Sequence, residues 1–162
     1  MGMNRPLPAV FQPGTHVELG SHEFTPDEIV RFASQFDPQP FHLDAKAAVG
    51  SVFGALCASG WHTASVWMRK MRDYQASEAA QAAKEGLPAV IAGPSPGFRN
   101  LKWLKPVYAG DTVSYFYETV SSRLSASKPG WYVVTGRNGG SNQKGELVLE
   151  FESTALLRVG SA

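Results

Sequence analysis

Apolar residues between Glu28 and Phe36 recur at helical spacing. Ile29, Phe32, Ala33 and Phe36 follow i, i+3, i+4, i+7 and form one stripe. The start of this helix is signalled locally. Thr25 predicts the N-cap, Pro26 the first helical position and Glu28 the third, a pattern that satisfies the free amides of a first turn. Pro38 and Pro40 disfavour α geometry at Asp37 and Gln39, so the helix is expected to stop near Phe36. Asp37 to His42 is then read as stiff and extended. Asp44 predicts a cap for a short helical stretch from Ala45 to Ala48. A second long helix is expected from Ser59 or Gly60 towards Lys84. Its first turns, Trp61 to Met71, are apolar on most sides, as in a helix enclosed by a fold. Its later part, Asp73 to Glu85, is Ala-rich and polar and is predicted to reach solvent.

Beyond Gly86 the pattern changes. Gly86, Pro88, Gly93, Pro94, Pro96 and Gly97 mark a long irregular segment. The period then drops to two. Strands are predicted at Phe98–Pro106, Thr112–Ser125, Trp131–Asn138 and Glu146–Val159. In the last, Leu147, Leu149, Phe151, Ala155, Leu157 and Val159 share a face opposite Glu150, Glu152, Thr154 and Arg158. Such alternation predicts an antiparallel sheet with one covered face. Lys128-Pro129-Gly130 and Gly139-Gly140-Ser141-Asn142 read as turns. An earlier strand is expected over Thr15–Glu23, after an extended, Pro-containing arm over residues 1–14. The order predicts an α+β fold in which a curved antiparallel sheet wraps a long central helix, in one domain over residues 1–162.

Composition narrows the function classes. Hydrophobic residues are 43% and charged residues 18%, enough to bury a core. Basic and acidic side chains number 15 and 14, which leaves no electrostatic footprint for nucleic acid. Cys57 is the sole cysteine, so neither an internal disulfide nor a Cys-rich zinc site is expected. Met1 to Val10 lacks the apolar core of a signal peptide, and no run of about 18 apolar residues predicts a membrane span. The expectation is a soluble cytoplasmic protein.

Candidate chemistry concentrates between the two helices. Asp37 and His42 sit in the proline-stiffened stretch, where a carboxylate and an imidazole reaching one water would form a general acid–base pair. On local pattern alone, an aspartate before proline is more often a turn residue. Ser59-Gly60 opens the long helix, whose N-terminal amides and dipole would stabilise charge on a ligand oxygen. The bland alternative is that Ser59 caps the helix and Gly60 relieves packing. His16 and His22, with Glu18 and Glu23 nearby, form a poor metal signal. Cys57 has no evident activating base and reads as a small buried thiol. Trp103, Tyr115, Phe116 and Tyr117 read as core and sheet-packing residues.

The stretch from Arg31 to Lys70 resembles the hydratase motif of the MaoC-like family, the (R)-specific enoyl-CoA hydratases and dehydratases. Phe32-Ala33, Asp37, Pro40, His42, Asp44, Ala48, Phe53-Gly54 and Gly60 fall in register with it without gaps. Downstream, Pro106-Val107-Tyr108-Ala109-Gly110-Asp111 resembles the family's Pro-Val-x-x-Gly-Asp connection, so the similarity runs from about Thr25 to Arg158. Phe36 and Gln39 depart from the motif, which usually has Gly and Asn there. His62 stands at a commonly apolar position and reads as a core or interface histidine.

The resemblance implies a hotdog fold and reversible addition of water to a trans-2-enoyl-CoA, giving an (R)-3-hydroxyacyl-CoA. Asp37 and His42 match the catalytic dyad. Gly60 matches the glycine whose amide binds the thioester carbonyl, with Ser59 beside it in the substrate site. No metal or cofactor is implied; the CoA thioester is the substrate. Arg99, Lys102 and Lys105, or Arg69, Lys70 and Arg72, could bind CoA phosphates, but such charges are more often a solvated face and are not assigned. Hotdog sheets pair edge to edge, which implies a homodimer or a dimer of dimers. The loop from Gly86 to Gly97 is expected to set chain-length choice. Gln39 and His62 motivate an alternative substrate, a branched or dicarboxylic enoyl-CoA. A noncatalytic acyl-CoA-binding protein or a thioesterase on the same fold is the further alternative.

Overall fold

The computed structural model describes residues 6–160. Within the arm, Ala9–Phe11 form a 3-10 turn rather than extended chain, and Leu7 is buried against Val134 and Leu157. The first residues of the predicted arm, 1–5, lie outside the described residues.

Strand β1 (His16–Glu23) leads into helix α1 (Pro26–Phe36). Thr25 caps α1 as predicted: its hydroxyl accepts from the Glu28 amide and donates to the Glu28 carboxylate. Ile29 and Ala33 are fully buried, but Phe36 at the end of the same stripe is 69% exposed. The segment after it corrects the extended reading. Pro40–Leu43 form a short helix α2, because proline suits the first helical position, where no amide is needed. Asp44 then caps α3 (Ala45–Val49) by accepting from the Lys46 and Ala47 amides.

Helix α4 (Gly60–Lys84) crosses the concave face of an antiparallel sheet. The Trp67 indole donates to the Phe116 carbonyl at 3.0 Å, and the Tyr115 hydroxyl donates to the Thr63 carbonyl at 3.0 Å. These two bonds, with Val66 and Met71 buried, fasten the apolar half of α4 onto the sheet. Its distal half is exposed, as the sequence predicts.

The sheet runs β1, β4 (Thr112–Leu124), β5 (Tyr132–Ser141), β6 (Leu147–Val159). The outer edge of β6 carries β3 (Gly97–Trp103) and, further along, β2 (Val90–Ala92). Strand β2 lies in the segment expected to be irregular. Gly139 to Ser141 belong to β5, not to a turn. A Cβ at Gly139 would sit 2.6 Å from the Leu149 carbonyl and 2.8 Å from the Phe116 ring, so close packing demands glycine there. In β6 the register shifts opposite Gly140 and Ser141, leaving Val148 as an extra residue. That bulge lets Val148 and Leu149, adjacent in sequence, both be buried. The curled sheet around a long helix is a hotdog fold of the α+β class.

Candidate active site

The site forms where the end of α1, the short α2 and the start of α4 meet. His42 is 5% exposed, and its Nδ1–H donates to the Cys57 carbonyl at 2.6 Å. A carbonyl can only accept, so Nδ1 carries a proton, and Nε2 is the nitrogen left to accept when the ring is neutral. Nε2 lies 3.5 Å from Asp37 Oδ2. The Cys57 carbonyl is held in turn by antiparallel pairing: the Ala58 amide donates to the Val107 carbonyl and the Ala109 amide to the Leu56 carbonyl. The Pro-Val-x-x-Gly-Asp segment therefore braces the strand-like stretch that orients His42. Asp111 stabilises its turn by accepting from the Tyr108 amide.

Asp37 is fixed from two sides. Ser59 Oγ donates to its Oδ2 at 2.7 Å, and Gln39 Nε2 donates to its Oδ1 at 2.8 Å. Burial alone pushes this carboxyl up, but the hydrogen bonds from Ser59 and Gln39 and the nearby His42 outweigh it. The net result holds Asp37 below the usual carboxylate range. Ser59 is fully buried and gives its hydroxyl to Asp37; its side chain makes no cap to α4. Gln39, longer than the motif's asparagine, still reaches the carboxylate.

Gly60 opens α4, so its amide has no partner within the helix. Asp37, His42, Gly60, Trp61 and Trp103 line one cavity of about 420 Å³. A Cβ at Gly60 would sit 2.4 Å from the Trp103 ring, so the indole rests directly on the glycine. Trp103 is 44% exposed and forms the wall of this cavity, a correction to its reading as a packing residue. Tyr115 and Tyr117 are core residues as predicted, and Phe116 is buried with them.

His62 is buried outside the cavity. Its ring stacks on Phe32 at 4.5 Å, and Nε2 lies 3.3 Å from the Glu28 carboxylate, which also accepts from His22 at 2.6 Å. His16 pairs with Glu18 instead. Among the described residues no group of three or more His, Cys, Asp or Glu is arranged to hold a metal ion. Burial pushes the Cys57 thiol up to about 11, in keeping with an inert buried cysteine. Arg69 pairs with Asp73 and Lys105 with Glu146, while Arg99 and Lys102 lie opposite Glu152 and Glu150.

Two site features escape residue-by-residue reading. The Cys57 carbonyl is a backbone group and leaves no signature in residue type. Trp103 enters the site through a β-bulge, for which only Asn100 beforehand gives a hint.

The chain is similar to a MaoC-like dehydratase from Rhodospirillum rubrum at 32% identity, covering 93% of this chain and 95% of that one, with a TM-score of 0.75. It is 27% identical to the uncharacterized protein YdeM of Bacillus subtilis over 91% of this chain and 96% of that protein. At 22% identity, the (R)-hydratase of A. caviae involved in PHA biosynthesis shares the fold, with a TM-score of 0.63 over 94% of this chain and 99% of that one. The family model described as the MaoC like domain matches residues 10–135, and the chain belongs to that family.

Proposed function

We propose that this protein is an enoyl-CoA hydratase that reversibly adds water to a trans-2-enoyl-CoA, giving an (R)-3-hydroxyacyl-CoA. The observation that carries the reading is a pair of acceptors 3.5 Å apart, Asp37 Oδ2, which keeps a lone pair beyond its bond from Ser59, and His42 Nε2, in one cavity with Gly60. One water donating a hydrogen to each would present its oxygen lone pair to the β-carbon. Thioester conjugation makes that carbon electrophilic. Attack forms the C–O bond and moves the π electrons onto the carbonyl oxygen. The Gly60 amide and the N-terminal end of α4 stabilise the resulting enolate. Asp37, held below the usual range, stays ionised and orients the water. His42 Nε2 takes the proton released by water and returns it to the α-carbon, so the balance is one water added and none of the catalyst changed. The dehydration runs through the same steps in reverse.

Family membership supports a hydratase or dehydratase class; the CoA thioester and the dyad are our assignment. Loss of absorbance of crotonyl-CoA tests it. Asp37→Asn and His42→Ala are each expected to lower turnover by roughly 10²–10⁴-fold while the fold is retained. A parent that binds crotonyl-CoA without turning it over would instead be a noncatalytic acyl-CoA-binding protein. Among the described residues strand β3 pairs with β6 on one side and with no strand on the other, so we also assign this edge to a second copy in a homodimer.

A further inference from the structure

No residue of the loop from Gly86 to Gly97 lines the site cavity. Leu87, Pro88, Val90 and Ala92 line a separate groove of about 680 Å³ beside the distal half of α4. The residues that do line the site cavity include Trp61 and Trp103.

We propose that Trp103 restricts the acyl group, limiting the substrate to short, unbranched enoyl thioesters, and that the bulge at Asn100 aims it. The inference rests on the hydratase reading. In β3, Arg99 lies opposite Glu152 and Lys102 opposite Glu150, so one extra residue is inserted between them. Glu150 and Glu152 share one face of β6, which puts Arg99 and Lys102 on that face together. Trp103, opposite Leu149, falls on the other face, towards α4. Without the insertion, Trp103 would share the outward face of Arg99. Asn100 accommodates the bulge with φ +55°, the only positive φ of a non-glycine among the described residues. Asparagine tolerates this left-handed geometry better than other side chains.

The aimed indole rests on Gly60 and packs edge-to-face on Trp61, with ring centroids 5.0 Å apart. It therefore stands beside the amide assigned to the thioester carbonyl. A rigid double ring there leaves room for a slender acyl group and collides with a long or α-branched one. Smaller side chains at this position would leave the cavity open.

The test compares the parent, Trp103→Ala and Trp103→Phe on crotonyl-CoA, trans-2-decenoyl-CoA and the α-branched tiglyl-CoA. Trp103→Ala is expected to raise kcat/KM for the two larger substrates, relative to crotonyl-CoA, by roughly ten-fold or more, with Trp103→Phe between. Ratios that stay within about two-fold of the parent in both variants overturn the proposal. Calorimetric binding of butyryl-CoA against decanoyl-CoA gives the same comparison without turnover. A parent inactive on all enoyl substrates defeats the hydratase reading, and the binding ratio still decides the role of Trp103. For the bulge, Asn100→Val is expected to shift the same ratios, whereas Asn100→Gly, which keeps a positive φ available, restores the parent pattern. Equal ratios in those two variants overturn the positioning role of Asn100.

Discussion

Asp37 illustrates how a residue can be legible while its chemistry depends on neighbours that are not. The carboxylate and the imidazole of His42 stand out in sequence because prolines stiffen the segment that carries them. That Ser59 serves Asp37 emerges only when the start of α4 folds against the end of α1. Ser59→Ala removes a hydrogen bond to a charged group, an interaction worth about 1.5–3 kcal/mol. If that support is felt at the transition state, turnover of crotonyl-CoA falls by roughly ten- to a hundred-fold. The sign of the pH effect follows from the same bond. Ser59 stabilises the ionised carboxyl, so its loss moves the Asp37 pKa up. The acid limb of the pH–rate profile is therefore expected to shift to higher pH in Ser59→Ala; an unmoved limb would separate Ser59 from the dyad. The lowered pKa also makes Asp37 stabilise the fold above its unfolded pKa, a contribution lost as pH falls through the folded value.

Among the elements, those with local signals were legible and those defined by distant partners were not. Thr25-Pro26-Glu28 start α1 with groups that lie within one turn, and Gly60 to Lys84 needed only its change from apolar to polar. Strand β2 is three residues among prolines and glycines, and exists because Val90 to Ala92 find β6 far along the chain. Gly139 and Gly140 carry the composition of a turn, but their bareness serves ring packing from β4. The joint between β1, α1 and α4 is likewise nonlocal. Glu28 accepts from His22 and lies beside His62, while His62 Nδ1 is buried without a partner. Burial pulls the His62 pKa below its ordinary 6.5, and the charge of Glu28 only partly opposes it. The unfolded chain therefore takes up a proton that the folded one refuses, and stability falls as pH drops below about 6.5 towards the folded value. Melting temperatures measured across that window are expected to decline in the parent and to flatten in His62→Gln, which keeps a polar group facing Glu28. A parallel decline in both would place the titration elsewhere. The fastening of α4 has its own test. Trp67→Phe leaves the Phe116 carbonyl without the indole donor and is expected to destabilise by about 1–3 kcal/mol, read from the urea midpoint at unchanged slope.

At the scale of the whole molecule, the question is what covers the outer edge of β3. Among the described residues the sheet has free edges at β1 and along β2 and β3, and Phe98 in β3 and Leu104 just after it are 56% and 47% exposed. An open edge flanked by such residues invites pairing with another strand, and a two-fold axis perpendicular to β3 at this edge would let each copy satisfy the other's amides and carbonyls. The backbone of one copy then meets the same backbone reversed, so charge added at the edge is brought close to its own copy. Sedimentation equilibrium is expected to give twice the chain mass of 17.5 kDa for the parent. Phe98→Lys combined with Leu104→Lys places like charges across the axis and is expected to shift the mass towards one chain at low salt, with partial recovery as salt screens the repulsion. A parent that sediments as one chain, or a double variant that stays paired at low salt, would move the interface away from β3. Because Trp103 belongs to this strand, the same variants link assembly to the site: if pairing holds the bulge in place, loss of the dimer relaxes acyl-chain selectivity in the direction expected for Trp103→Ala, whereas unchanged selectivity in a monomer makes each copy's wall self-supporting.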